Sequence, residues 1–591
     1  MNIVKTTLTL VAWSVLFVAS LSAQVTDTSL SASIDLLWGV KIPMRDGIQL
    51  NATVYKPKGA GPLPVILTLT PYIADTYHNE AFYFAQNGYV FVMVDVRGRG
   101  NSQGTFNALR QEANDGFDAV GWIARQSWCD GRIAMYGSSY DGYDQWATAK
   151  EFPPNLKTIV PTAAAMPSID IPFWKNIWDP FDVQWITLTS GVTANKKLFA
   201  ESHFWIQKYR ELYMEHRAFR ELDTITGNPS ALFQEWLAHP CPDSYWDACN
   251  PAAEQFARID MPILTITGYY DDDQPGAMEF YRRHMMFGSR EARARHYIVI
   301  GPWDHGGTDS PTKEVGGLLF GDARVLDMNQ LHKEWYDWVL KSGQKPGFLE
   351  ARVAYYVVGK DVWKYADSLE AIGADKRVLY LGSNGSNAND VFHSGYLTEA
   401  RATEFASDSF VYDPLDTRPA ELETAEIENY LTDERYALNL FGNGLVYHTE
   451  AFAESTEVSG NSKLVLWISM DVPDADFQAT LYEIMPDGKS ILLARDRLRA
   501  RFRESLREER LIKPGEVLKY EFTGFNWFSR YVAKGSRLRL VIACPNSIYL
   551  QKNYNSGKNV VEETGNDART AHIKVYHDAT HRSYLELPVG K

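Results

Sequence analysis

Three largely apolar runs, at residues 65–69, 89–95 and 132–136, follow one another with helix-patterned segments between them. A strand that is apolar on both sides belongs in a sheet covered on both faces, and such sheets are built from parallel strands joined by helical crossovers. The segment at 79–86 has helical character. Residues 115–126 place Phe117, Val120, Ile123 and Ala124 on one face of an amphipathic helix. Two strand-like pieces, 40–42 and 48–55, precede them around a turn at Arg45-Asp46-Gly47. The alternation predicts an α/β sheet from about residue 34 to 165.

The alternation then stops. From 166 to 256 tryptophans crowd in (Trp174, Trp178, Trp185, Trp205, Trp236 and Trp246), and helical periodicity appears at 203–222 and 230–238. This predicts a helical insertion. Strands resume at 263–267 and 296–300, and a helix at 331–340 closes the domain near residue 345. An insertion between two halves of one sheet would sit above the strand ends as a cap, where Trp174 and Trp178 would line a substrate pocket. After a linker-like run at 342–347, short strands at 353–358, 377–381, 464–469, 479–484, 538–543 and 571–576 predict a β-sandwich over 346–591.

The chemistry concentrates at three strand ends. The strand at 132–136 runs into Gly137-Ser138-Ser139-Tyr140-Asp141-Gly142 and then a helical stretch. That is the context of a nucleophilic serine on a strand-to-helix turn, with helix-start N–H groups facing a developing oxyanion. Ser139 has the better frame and Ser138 the poorer one, although the second glycine lies three residues after Ser139 rather than two. The strand at 263–267 ends in Gly268-Tyr269-Tyr270-Asp271, and that at 296–300 in Gly301-Pro302-Trp303-Asp304-His305. Sheets of this kind place ligands beyond these ends. His305 would take the serine proton and Asp271 would orient the imidazole. His78 and His296 are less well placed. Tyr72, in the loop after 65–69, stands where a second oxyanion donor would come from, and reads equally as that donor, its hydroxyl beside the Tyr140 N–H, or as a packed loop tyrosine.

Several runs together resemble the cocaine esterase and X-prolyl dipeptidyl-peptidase superfamily of α/β-hydrolases: 94–104, Trp128-Cys129-Asp130-Gly131-Arg132, the serine turn, Tyr270-Asp271 and Gly301-Pro302-Trp303 with His305. Gly137-Ser138-Ser139-Tyr140 and Tyr270-Asp271-Asp272-Asp273 look most like its glutaryl acylases and α-amino-acid ester hydrolases. Residues 472–477 and 577–581 extend the likeness to the C-terminus. The resemblance implies an α/β-hydrolase domain, a helical cap and a jelly-roll sandwich. It supports Ser139, Asp271 and His305 as a triad, with Tyr72 and Tyr140 as the oxyanion hole. It also places the second glycine three residues on, which removes the spacing objection. The α-amino-acid ester hydrolases hold a substrate ammonium with acids two and three residues after the triad aspartate. Here those positions are Asp273 and Gln274, so one acid is lost. Asp273 is a candidate substrate-binding residue, and capping by Asp272 and Asp273 of a helix with Pro275 in its first turn is the favoured reading.

The remaining features narrow the class. A formal net charge of -15 argues against nucleic acid. Lys5 precedes an apolar stretch at 8–21 and small residues Ser22 and Ala23, which predicts a secretory signal peptide over 1–23 and export to the periplasm or beyond. No stable membrane insertion is expected after processing. Four cysteines form no scaffold, although Cys241 and Cys249 are close enough in sequence to pair. Gly98, Gly100 and Gly104 have the wrong spacing for a dinucleotide loop. The basic stretch 495–510 reads as a solvated surface, and His577 and His581 as a structural loop. The expected reaction uses small-molecule esters, amides or short peptides and needs no cofactor or metal. An X-prolyl dipeptidyl-peptidase and an inert glycan-binding protein are the competing readings.

Overall fold

The computed structural model describes residues 33–385, 388–401 and 406–590. The expected leader over 1–23 lies outside the described residues. No helix among those described is long and apolar enough to cross a membrane.

The first sheet has ten strands: β1 (Ile34–Pro43), β2 (Gln49–Pro57), β3 (Leu63–Thr70), β4 (Val90–Asp95), β5 (Cys129–Ser138), β6 (Leu156–Thr162), β7 (Ile263–Gly268), β8 (His296–Gly301), β9 (Val353–Val357) and β10 (Val362–Ala366). Their spatial order is β1-β2-β4-β3-β5-β6-β7-β8-β9-β10. The strands from β4 to β9 along this order pair in parallel, and the outer pairs are antiparallel. Every residue of β4 and β7 is buried, as their unbroken apolar runs require. The sheet is flanked by α1 (His78–Gln86), α2 (Glu112–Ile123) and α3 (Tyr140–Ala149). Phe117, expected on the inner face of α2, is only half-buried. Glu112 and Asp115 are buried there instead. Arg97 donates to Asp115 at 2.7 and 2.9 Å, so this acid enters the core already paired.

The insertion holds α4 (Phe181–Leu188), α5 (Ser202–Met214), α6 (Ala231–Leu237) and shorter turns of helix. Its tryptophans form its core: Trp185 stacks on Trp236 with 6.2 Å between centroids, and Trp236 meets Trp246 edge-on at 5.9 Å. Each such pair contributes about 0.5–1.5 kcal/mol beyond simple burial. Trp178 belongs to this core as well. It is fully buried against Phe173 and Phe219, away from the cavity it was expected to line. Cys241 and Cys249 are unpaired; the Cys249 thiol is buried beside Arg110.

Two helices complete the domain, α7 (Gln274–Phe287) and α8 (Met328–Lys341). One boundary differs from expectation. The strand foreseen at the head of the sandwich is β9, and it pairs in parallel with β8. Apolar strands of this length carry no mark of the sheet they will join. The C-terminal strands, from Asp375–Gly382 to Tyr584–Val589, form a separate 13-stranded β-sheet assembly. The basic stretch is a solvated surface only in its second half, where Arg507 and Arg510 are exposed. Arg499 and Arg501 are buried, paired to Asp476 and Asp474 at 2.8 Å. Arg499 also donates to the Asn176 carbonyl, tying this part to the cap.

Candidate active site

Ser139 follows β5 and precedes α3 with φ 62° and ψ −125°. For a residue with a Cβ this backbone costs about 1–3 kcal/mol and persists only where the surroundings impose it. They do so by close packing. A Cβ on Gly142 would lie 2.7 Å from the Thr162 carbonyl oxygen, and one on Gly137 would lie 2.6 Å from Asp141 Cβ. Behind the turn, Trp146 of α3 stacks on Phe280 of α7 at 4.9 Å, nearly parallel.

His305 follows β8, and its Nδ1 lies 2.9 Å from Asp271 Oδ1. Asp271 follows β7 and its side chain is buried, whereas half of the His305 ring (49%) opens onto the cavity. Ser139 lines the same cavity. No hydrogen bond joins Ser139 to His305 among the described residues; such bonds commonly tighten only when substrate is bound. His296 is remote from this chemistry. It is buried between Thr265 and His284, and burial followed by the neighbouring His284 holds its pKa well below the ordinary value. His78 is bonded to Tyr55.

Asp273 does not cap α7 with its side chain. The Asp273 N–H donates to Asp271 Oδ1 at 3.0 Å, and the Gly276 N–H donates to Asp170 Oδ2 at 2.6 Å. With these helix-start donors satisfied from elsewhere, the Asp273 carboxyl is free to face the site, 3.7 Å from His305 Nδ1. Burial raises its pKa to about 7, with His305 and the Ser139 hydroxyl acting in the opposite direction. Asp271, Asp273 and His305 are close enough to hold a metal ion. Acids grouped around a histidine are common without an ion, and nothing further in the cluster marks it as a metal site.

Around His305 the charges oppose burial. Partial burial lowers its pKa, but Asp271, Asp273 and Asp309 together outweigh it and hold the imidazole above its ordinary value. Asp309 accepts from the Ser138 hydroxyl at 2.5 Å. Its own pKa is raised by desolvation within the cavity, although the residue stays accessible to solvent there. Ser138 is thereby engaged with an acid rather than with the histidine.

The Tyr72 hydroxyl accepts from Trp185 Nε1 at 3.0 Å. This directs the tyrosine's own hydrogen away from Trp185. The Tyr140 ring stacks on Trp185 at 5.5 Å, and its hydroxyl donates to Glu112 at 2.5 Å while accepting from the Leu109 N–H. The first residue of α3 is thus held at its far end. Arg99, from the glycine-rich loop, donates to the carbonyls of Pro71 and Thr189 at 2.8 and 2.6 Å, locking the Tyr72 loop to the cap. A Cβ on Gly100 would strike the Asp95 carboxylate at 2.3 Å. The glycines therefore serve a tight loop rather than a nucleotide.

The cavity has a volume of about 1280 Å³ and three walls. The first domain contributes Tyr72, Ser139 and His305, the cap contributes Trp174 and Trp185, and the C-terminal part contributes Gln478, Arg497 and Tyr549. Sequence reasoning missed Trp185 as a support for Tyr72, Asp309, and the whole C-terminal wall. Asp309 had one readable signal, its position four residues after His305.

The chain matches the X-Pro dipeptidyl-peptidase (S15 family) over residues 46–307 and the X-Pro dipeptidyl-peptidase C-terminal non-catalytic domain over 337–586. It is 26% identical over 573 residues to the cocaine esterase of Rhodococcus sp. (strain MB1 Bresler), covering 93% of this chain and 98% of that protein. Its fold is similar to that of an aminopeptidase from a marine sediment Thaumarchaeota archaeon (TM-score 0.82, 22% identity, 95% and 97% of the two chains). It is similar also to that of an α-amino acid ester hydrolase (TM-score 0.80, 20% identity, 94% and 97%). With an S15 domain followed by its C-terminal β-rich companion, and with this site between them, the chain belongs to the cocaine esterase and X-Pro dipeptidyl-peptidase superfamily and is a serine hydrolase.

Proposed function

We propose that the chain cleaves ester or amide bonds through an acyl-enzyme formed on Ser139, with His305 as base and Asp271 orienting it. The observation that carries this is the strained Ser139 turn opening into the same cavity as the His305–Asp271 pair. His305 takes the Ser139 proton as the hydroxyl attacks the carbonyl carbon, then returns it to the leaving group. Water repeats the cycle and frees the acid. Asp271 and Asp273 stabilise the imidazolium formed midway. Tyr72 Oη and the Tyr140 N–H hold the oxyanion. Trp174 forms part of the acyl-binding wall. Export rests on the leader pattern at 1–23, and the C-terminal strands are read as a jelly-roll sandwich.

The test is hydrolysis of p-nitrophenyl acyl esters, an α-amino-acid methyl ester, a glutaryl amide and an X-Pro amide, alongside labelling by a fluorophosphonate. Turnover together with labelling supports the reading, and the preferred member names the bond. Neither turnover nor labelling would overturn it.

Two further results are expected. Tyr72→Phe should lower kcat by roughly ten- to a thousand-fold, as loss of an oxyanion donor does. An unchanged kcat removes Tyr72 from the site. Asp309→Asn should move the acid limb of the kcat/KM profile to lower pH by about one unit. The base works only when neutral, so activity rises with pH through the His305 pKa. Removing a nearby carboxylate destabilises the imidazolium and lowers that pKa. A limb that stays put, or moves upward, separates Asp309 from the histidine.

A further inference from the structure

The C-terminal part lends the cavity a cation that no acid pairs within 4.0 Å among the described residues. Along residues 495–501 the arginines alternate, and three of the four have an acid within 4.0 Å: Arg495 with Asp272, Arg499 with Asp476 and Arg501 with Asp474. Arg497 has none among the described residues. It is only 8% exposed. Its guanidinium lies over the Trp174 ring, 5.0 Å from the centroid, and its Nε donates to Gln478 at 3.1 Å. Stacking occupies a face of the guanidinium plane and Gln478 occupies one edge. The two terminal nitrogens make no hydrogen bond among the described residues, and Arg497, Trp174 and Gln478 all line the cavity that Ser139 opens into.

A buried, unpaired guanidinium is costly, and its planar fork matches a carboxylate through two parallel hydrogen bonds. Burial, then neighbouring Arg495, lowers its pKa to about 10, so it stays charged at neutral pH. Asp179 and Asp272, which line the cavity, and Asp496 also act on it, and this residual negative field disfavours a phosphate dianion more than a monoanionic carboxylate.

We propose that Arg497, stacked on Trp174 and steadied by Gln478, is a specificity site for a carboxylate carried by the substrate of the Ser139 centre. As a statement about substrate this rests on the serine-hydrolase reading above. The bonding itself does not.

The experiment has a kinetic and a binding arm. Kinetically, p-nitrophenyl hemisuccinate, hemiglutarate and hemiadipate are compared with neutral p-nitrophenyl esters of matched length, and 3-acetoxybenzoate with phenyl acetate. The first series carries the carboxylate on the acyl side and the second on the leaving group. In Arg497→Gln the anionic-to-neutral ratio of kcat/KM should fall about 10- to 100-fold on one side, the worth of a charge-assisted hydrogen-bond pair. Arg497→Lys, which keeps charge but loses the fork, should recover part of it. A ratio unchanged for every ester overturns the proposal. Calorimetric titration of glutarate reads the subsite without turnover: binding weakened tenfold or more in Arg497→Gln supports it. Equal binding, or none to the unaltered chain, overturns it. Failure of all ester turnover with glutarate binding intact would count against the Ser139 reading alone.

Discussion

Ser139→Ala is expected to abolish turnover, with kcat falling about 10⁶-fold and the folded structure retained. The magnitude follows from the acyl-enzyme route: without Oγ there is no bond to form, and only oxyanion binding and substrate placement persist. The fold should survive because the turn is imposed by packing, not by the hydroxyl. Gly137 and Gly142 make the close approaches, and the Trp146–Phe280 stack anchors α3 from behind. Ser138 is no substitute nucleophile, since its hydroxyl is bonded to Asp309. The measurement is single-turnover and steady-state hydrolysis of the preferred ester, with circular dichroism and a melting curve for the fold. Full activity in a folded variant would reject the mechanism.

Asp271→Asn is expected to cost about 10⁴-fold in kcat with little change in KM. The amide is nearly isosteric, and the Gly276 N–H keeps its bond to Asp170, so the start of α7 should hold even where the amide N–H displaces the oxygen that accepts from the Asp273 N–H. What changes is the partner of His305 Nδ1. An amide N–H turned toward the ring would favour the tautomer that places the proton on Nε2, where a lone pair must face Ser139. Asp273, 3.7 Å from the same nitrogen, is placed to limit the damage. The double variant Asp271→Asn/Asp273→Asn should therefore lose more than Asp271→Asn does. Equal activity of Asp271→Asn and the unaltered chain would detach Asp271 from catalysis.

The sheet and the serine turn were legible because their signals are local. Unbroken apolar runs, glycines beside a serine, and a histidine and an aspartate just beyond strand ends are all properties of short segments. The dense tryptophans likewise announced a buried, helical insertion. Their individual roles did not follow from type: Trp174 reaches the cavity and Trp178, four residues later, is sealed in the core. The two share a hairpin, Phe173–Trp174 with Ile177–Trp178, whose two sides meet different neighbours.

Charged residues were the least legible. Asp273 looked like a cap, but Asp170, far away in the chain, takes the helix-start donor at Gly276 and leaves Asp273 facing His305. Arg497, Arg499 and Arg501 looked solvated because a charge normally is, yet they are buried with acids or an aromatic ring brought from other elements. The sequence by itself determined the order of strands and helices and which strand ends carry Ser139, Asp271 and His305, because periodicity and turn chemistry act over a few residues. Only the tertiary structure decided which polar groups are paired, which face the cavity, and that the C-terminal part forms its third wall. Burial and electrostatic pairing depend on neighbours tens to hundreds of residues apart, and no local pattern encodes them.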